Sequence, residues 1–373
     1  MEKGGNRAVW SMVGCFFCLA LVGLLAGVSA SLPGQGWDTL AMHAFHFGLG
    51  FGAFLFAYAM PPDGFRKAVP GLLVLLFLVL VSMLLSEGFG HSSHAAERWI
   101  KIGGFTLQPS VFLQCLWPLA LASWAAKDPM RLTQPRALTR LMLAFAILVL
   151  PVLLQPDLGS VMILLCISAL TLFFAGVPLR FMKVLIAVSL GVMLLGLALF
   201  PHVDSRISDF LSPHPGLQIL RAEEAFAVGG FTGLGPGRGV MKHGWVPEGD
   251  TDFILALIAE EWGMLGTGTI WSLFFLATIF GVLAARRAER RYGAILMASA
   301  TLVISIQAAI NMAVVTGIVP PKGLPLPFVS RGGTSMLALS ALLGFAVKAA
   351  LETRRSRVPV ENLIPWTESN ALD

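Results

Sequence analysis

The chain has 373 residues, of which 56% are hydrophobic and only 13% charged, with a mean hydropathy of +0.78. Soluble proteins carry about 25% charged residues, so 21 acids and 26 bases cannot clothe a water-exposed surface of this size. A soluble enzyme, a disordered chain and a nucleic-acid module are excluded, and the net charge of +5 is explained by bases flanking membrane spans. The fold class is an all-α polytopic membrane protein.

In chain order, apolar runs lie near 8–30, 39–60, 68–86, 109–126, 138–154, 158–177, 181–201, 253–284, 293–318 and 332–352. A crossing needs about 20 residues, so these runs predict ten transmembrane helices in one membrane domain spanning 1–373. The first run is too long for a cleavable signal and reads as a signal anchor. Cys15 and Cys18 share that run with no carboxylate or histidine near them in sequence, so they read as core packing rather than a redox or metal motif. Gln155-Pro156-Asp157 is a very short turn and predicts a tight helical hairpin. With the N-terminus in the cytoplasm, 18 of the 26 Lys and Arg fall on cytoplasmic segments and 8 on outer ones. That bias predicts cytoplasmic N- and C-termini and a large outer loop, 202–252, between helices 7 and 8.

The cytoplasmic loops are short and simply basic. The outer loops, about 87–108, 202–252 and 319–331, hold the other bases, most outer carboxylates and five of the seven histidines. Chemistry, on this reading, faces outward. In the first of these loops Arg98 offers a planar fork that clamps phosphate; the competing reading is a snorkelling arginine beside an interfacial Trp99. Asp157 is either an N-cap of the next helix or a binding carboxylate. Residues 217–228 predict an amphipathic helix on the membrane surface. The glycine run 229–239 follows no strand, which excludes a dinucleotide fold. It is either backbone that approaches a phosphate or sugar, or plain flexibility.

The long loop ends in Pro247-Glu248-Gly249-Asp250-Thr251-Asp252-Phe253, with three carboxylates at the mouth of the next span. Asp250 or Thr251 is the expected N-cap, which leaves carboxylates beyond the needs of capping. A carboxylate held close to the bilayer has a raised pKa and can act as a base. Glu260 and Glu261 follow inside the span, and intramembrane carboxylates are functional candidates. At about 100° per residue neither shares a face with Asp252. The last outer loop, from Pro320 to Ser335, is apolar yet broken by prolines, so it is not a regular helix and must line a cavity or be buried in protein. Lys322 and Arg331 would place positive charge in such a cavity.

These motifs, taken together, resemble the SEDS family (shape, elongation, division and sporulation; FtsW, RodA and SpoVE). The resemblance is carried by Arg98-Trp99-Ile100 with Gln108-Pro109-Ser110, by Gln155 through Gly159, by Gly229-Gly230 and the glycines after it, by Pro247 through Phe253, by Ala259-Glu260-Glu261 with Gly263 and Gly266, and by Pro320 through Ser335. Lys322-Gly323-Leu324 resembles the division branch more than the elongation branch. The resemblance implies a peptidoglycan glycosyltransferase that polymerises lipid II at the outer face of the bacterial plasma membrane, for septal wall synthesis. A sugar 4-hydroxyl attacks the anomeric carbon of a second lipid-linked sugar, and undecaprenyl pyrophosphate leaves. It also implies a divalent cation (Mg or Mn), a class B penicillin-binding transpeptidase partner and other division or elongation proteins. The family's key aspartate falls on Asp252. Substrate contacts are expected from Arg98, Gln108, Asp157, Glu248, Lys322, Ser330 and Arg331, and metal ligation from Asp252 and Glu248.

Four positions depart from the family pattern. Val111 and Gln114 stand where Glu and Lys are usual; losing both members of a membrane ion pair is a compensated change. Asp250 stands where His is common and Arg331 where Tyr is common. Asp250 is expected to raise the pKa of Asp252 or help hold a cation, and Arg331 to add a phosphate ligand. Two other functions compete: a lipid II flippase or other carrier, which Glu260 and Glu261 would suit, and a non-catalytic scaffold that recruits a transpeptidase. The simple cytoplasmic loops favour catalysis over transport.

Overall fold

The computed structural model describes residues 2–31, 36–86, 99–102, 105–200, 208, 210, 212 and 216–352. Each predicted apolar run is a helix: α1 (Glu2–Ser31), α2 (Gly36–Ala59), α3 (Pro62–Ser86), α4 (Pro109–Lys127), α5 (Pro135–Leu154), α6 (Leu158–Phe174) and α7 (Leu179–Leu199). After α8 (Leu217–Gly229) come α9 (Ile254–Arg287), α10 (Arg291–Val315) and α11 (Gly333–Leu351). Among the described residues nine helices are long and apolar enough to cross a membrane; α6 is apolar but has 17 residues. That length is at the short end of about 17–25 for a spanning helix. One element was not foreseen: a small antiparallel hairpin, β1 (Ile100–Ile102) and β2 (Phe105–Leu107), precedes α4.

The helix ends alternate as the charge pattern requires. At one end Arg66 Nε donates to Ser123 Oγ at 2.7 Å and its guanidinium covers the Tyr292 ring at 5.2 Å. There too Arg290 meets Glu352 at 2.9 Å, and Arg291 donates to the Ala175 carbonyl at 3.0 Å. These are bases assigned to the cytoplasmic side, and several of them tie neighbouring helix ends together. At the opposite end the hairpin and the two loops around α9 and α11 converge. Thr334 Oγ1 donates to Thr106 O at 2.8 Å, and the Gln108 N–H donates to Thr334 Oγ1 at 3.3 Å.

α9 is not one continuous helix. Gly263, with φ 62° and ψ −157°, breaks it. A break in apolar surroundings leaves N–H and C=O groups that must find partners. The glycine run supplies them. Leu234 and Gly235 N–H donate to the carbonyls of Glu260 and Glu261 at 3.0 and 2.9 Å, and Met264 N–H donates to Gly230 O at 2.9 Å. Glycine is required for the approach: a Cβ at residue 263 would lie 2.6 Å from Phe231 O, and one at residue 233 would overlap the Glu261 backbone. Gly230, Gly233, Gly235 and Gly237 all have positive φ, which glycine adopts without steric penalty.

The same loop neutralises the two carboxylates. Glu260 accepts from the N–H groups of Val240 at 2.7 Å and Met241 at 3.1 Å. Glu261 accepts from Gly237 N–H at 3.0 Å, Gly239 N–H at 3.2 Å, Lys242 Nζ at 2.9 Å and the Ser29 hydroxyl of α1. The glycine run therefore binds the protein's own carboxylates, which replaces both expectations for it, a phosphate cradle and plain flexibility. α8 forms where predicted, and its face of Ile219, Ala222 and Ala225 is buried against α9 and α10 rather than left for the membrane surface. Of the cysteine pair, Cys15 is buried but Cys18 is exposed, so only half of the core reading holds.

The Lys242 and Glu261 side chains are only 4% and 6% exposed. Removing one partner of a buried pair strands the other charge, at about 3–5 kcal/mol. Glu261→Gln is expected to lower detergent-solubilised thermal stability by that order, and adding Lys242→Met is expected to recover part of it. Paired melting curves check this; equal melting of wild type and Glu261→Gln is the contrary outcome.

Candidate active site

Asp252 is the last residue but one before α9, in a turn whose hub is the Glu248 carbonyl. Thr251 N–H and Phe253 N–H both donate to that oxygen, at 3.2 and 3.1 Å. Glu248 adopts φ 55°, left-handed without being glycine, at about 1–2 kcal/mol. Strain of this kind persists where surrounding structure over-determines it. Thr251 Oγ1 donates to Glu248 Oε2 at 3.0 Å, so Thr251 serves the turn and not the helix. The expected N-cap at Asp250 or Thr251 is replaced by Phe253, which has no side-chain cap; the Thr251 hydroxyl is engaged by Glu248 and the Asp250 carboxylate by Arg331.

Asp252 is half-buried. Burial first, then the nearby charges of Glu248 and Asp250, push its carboxyl up to about 7, against an opposing pull from Lys322. The expected influence of Asp250 on Asp252 is thus present. Asp252 Oδ2 faces Gly323: a Cβ there would sit 3.0 Å away. Asn311 of α10 donates from Nδ2 to the Asp252 carbonyl at 2.7 Å and to the Leu324 carbonyl at 2.6 Å. The segment between α10 and α11 is non-helical as predicted, with Leu324, Leu326, Phe328 and Val329 buried.

The structure brings Glu248, Asp250, Asp252, Lys322 and Arg331 together and gives some of them other work. Arg331 Nη1 pairs with Asp250 Oδ2 at 2.8 Å, and its N–H donates to Asp250 O at 3.2 Å. The two departures from the family pattern are therefore one interaction, and Arg331 in this state is the partner of Asp250 rather than a free phosphate ligand. Ser330 Oγ accepts from Leu326 N–H at 2.8 Å inside its own turn. Asp157 caps α6, accepting from Ser160 N–H at 3.1 Å, which favours the capping reading. Two residues on, a side chain at Gly159 would overlap Lys322, so the α6 N-terminus forms the floor under that cation. Gln108 lies at the α4 N-terminus and is held through its backbone. Arg98 lies outside the described residues, and Trp99 is 48% exposed, as an interfacial ring would be.

The Gln114 departure also has a physical account. Gln114 is buried in α4 and accepts at Oε1 from Gln307 Nε2 of α10 at 2.8 Å. A neutral amide pair here joins α4 to α10 without the desolvation penalty of charges. Asn311 escaped the sequence reading. The available signal was that Asn311, like Gln307, is an amide inside the apolar run 293–318, where polar groups are costly and mark function.

Among the described residues no three His, Cys, Asp or Glu side chains converge to cage a metal. The set that is present, Asp252 with Glu248 close enough to raise its proton affinity, fits a hard cation held by one or two carboxylates and completed by water and substrate oxygens. Chemically, the arrangement offers a carboxyl that titrates near neutrality and an ammonium close enough to act on it.

Residues 8–355 match the FtsW/RodA/SpoVE family, described as cell cycle proteins. Among its relatives is the probable peptidoglycan glycosyltransferase FtsW of Caulobacter vibrioides, 32% identical over 347 residues, covering 90% of this chain and 87% of the relative. The probable peptidoglycan glycosyltransferase FtsW of Trichlorobacter lovleyi is 36% identical over 284 residues, 73% of this chain and 72% of that protein. In fold the chain is similar to one from a peptidoglycan synthase complex that coordinates polymerization and crosslinking, with TM-score 0.75, 24% identity, and coverage of 91% and 97%. It is also similar to the rod shape determining protein RodA of Thermus thermophilus, with TM-score 0.68, 22% identity, and coverage of 91% and 96%. At such identities the two structures speak to the fold alone. The sequence match, the shared fold and the apolar helices lead to one conclusion: the chain belongs to the FtsW/RodA/SpoVE family and is a multi-pass protein of the bacterial inner membrane.

Proposed function

We propose that this chain is a peptidoglycan glycosyltransferase, polymerising lipid II at the outer face of the membrane for septal wall synthesis, with Asp252 as its base. The observation that carries the reading is the half-buried Asp252 carboxyl, pushed up to about 7 and set beside Lys322. A general base works best with a pKa near the operating pH. Ionised Asp252 takes the proton from the attacking sugar 4-hydroxyl. Lys322, seated over the α6 N-terminus, offers charge to the departing diphosphate. A divalent cation held by Asp252 and Glu248 would add Lewis-acid stabilisation of that leaving group. An apolar cavity bounded by α1, α2 and α11, lined by Phe16, Phe47, Phe51, Phe328 and Met336, suits a polyprenyl tail.

Of the features that would suit a carrier, Glu260 and Glu261 are occupied by the loop's N–H groups and Lys242. A class B penicillin-binding transpeptidase is the proposed partner. Its support is the shared fold with a chain of a complex that both polymerises and crosslinks.

The direct test is polymerisation of lipid II by the purified protein with its cognate transpeptidase and a divalent cation. Wild type is expected to make glycan strands, and Asp252→Ala to lose activity by about 10²–10⁴-fold. Strands of equal yield from both would remove Asp252 as the base. The pH–rate profile gives a second check. The base must be ionised, so the rate is expected to fall as pH drops below about 7. Asp250→Asn removes a charge that raises the Asp252 pKa, so its acid limb is expected to move to lower pH. Lys322→Ala removes one that lowers it, so its limb is expected to move to higher pH.

A further inference from the structure

We infer that Asn311 is a positioning residue that sets where the Asp252 carboxylate lies relative to Lys322; this rests on the glycosyltransferase reading above. Asn311 is 1% exposed, so it acts through its neighbours and not on substrate. Its Nδ2 spends both hydrogens on carbonyls of two different segments: Asp252 O at 2.7 Å in the turn before α9, and Leu324 O at 2.6 Å in the proline-broken segment. The first carbonyl belongs to the base itself. The second lies two residues from the cation. One amide group therefore sets the separation of the two charged groups.

Only one orientation of the amide works. Its Oδ1 accepts from no described residue, and turning the group over would press that oxygen against two carbonyl oxygens with no proton between them. A forked donor to two acceptors is beyond Ser, Leu or Asp. The carboxylate end of Asp252 is limited from the opposite side by Gly323, where a Cβ would come to 3.0 Å of Oδ2. Asn311 thus holds the residue by its backbone, and Gly323 leaves room for its side chain. The Asp250–Arg331 pair joins the same two segments two residues from the base, so Asn311 governs fine placement rather than whether the segments meet.

The experiment measures kcat and KM for lipid II with the full-length protein and its transpeptidase partner. Asn311→Leu keeps the branched outline but loses the donors. It is expected to lower kcat by about 10–100-fold, the scale of a misplaced catalytic group, with KM within about twofold of wild type. Asn311→Gln keeps an amide donor and is expected to recover part of that loss. Gly323→Ala, which crowds the carboxylate from the other side, is expected to show the same loss of kcat without loss of KM. Turnover like wild type in Asn311→Leu and Gly323→Ala, with Asp252→Ala inactive, overturns the role of Asn311 alone. A fall of kcat and folded yield together with a raised KM, in which Gln does no better than Leu, also overturns it, in favour of packing. Full activity in Asp252→Ala overturns the underlying reading instead. Should Asn311→Leu not fold, the Gln and Gly323→Ala variants decide the matter.

Discussion

Two adjacent carboxylates at the head of a membrane helix have to be satisfied, and the rest of the outer face is organised around that demand. Glu260 and Glu261 are nearly inaccessible, and a bare carboxylate in such a place is untenable. The chain answers with four backbone N–H groups from residues 237–241, one ammonium and one hydroxyl. Backbone donors at this density require the loop to lie flat on the helix, and only glycine allows that approach at residues 229, 233 and 239. The break at Gly263 is part of the same arrangement, since the freed helix carbonyls and N–H groups pair with the loop residue by residue. With the loop pinned at 229–242, the short remainder of chain to Asp252 has few places to go.

The site is assembled from segments that sequence separates widely. The turn before α9 supplies Asp252, the segment between α10 and α11 supplies Lys322 and the glycine facing Asp252, α10 supplies the amide that joins the two segments, and α6 supplies the floor. Repulsion among Glu248, Asp250 and Asp252 is retained, and Arg331 relieves it at Asp250 only. That leaves the Asp252 carboxyl near neutrality, the condition in which a carboxylate accepts a proton readily. Within the bundle Gln114 and Gln307 join α4 to α10 as a neutral pair, and among the described residues the most deeply buried ion pair is Lys242–Glu261.

Much of this was legible in the residues. Apolar runs and the distribution of Lys and Arg place the helices and alternate their ends, because lipid leaves the backbone no choice but helix and the charge bias is set by the ends. The Pro320–Ser335 stretch declared itself non-helical. Asp252 stood out through its position and its neighbours. The hairpin at 100–107 was missed, since three-residue strands carry too little pattern to register. Asn311 was missed because an amide in a long apolar run gives no hint of what it meets.

By itself, then, the sequence determined the class, the element order, the side on which chemistry gathers and the acidic turn that ends in Asp252, because each is written in composition or in spacing along the chain. Tertiary structure alone decided partners. It showed that the glycine run grips Glu260 and Glu261, that Asp250 and Arg331 are one ion pair, that Asp157 caps a helix, and that Asn311 ties Asp252 to Leu324. A carboxylate, an amide or a glycine has the same local signature whether it meets substrate, solvent or its own chain. Which of these it meets depends on residues 59 or 81 positions away, brought within hydrogen-bond distance only when the bundle closes.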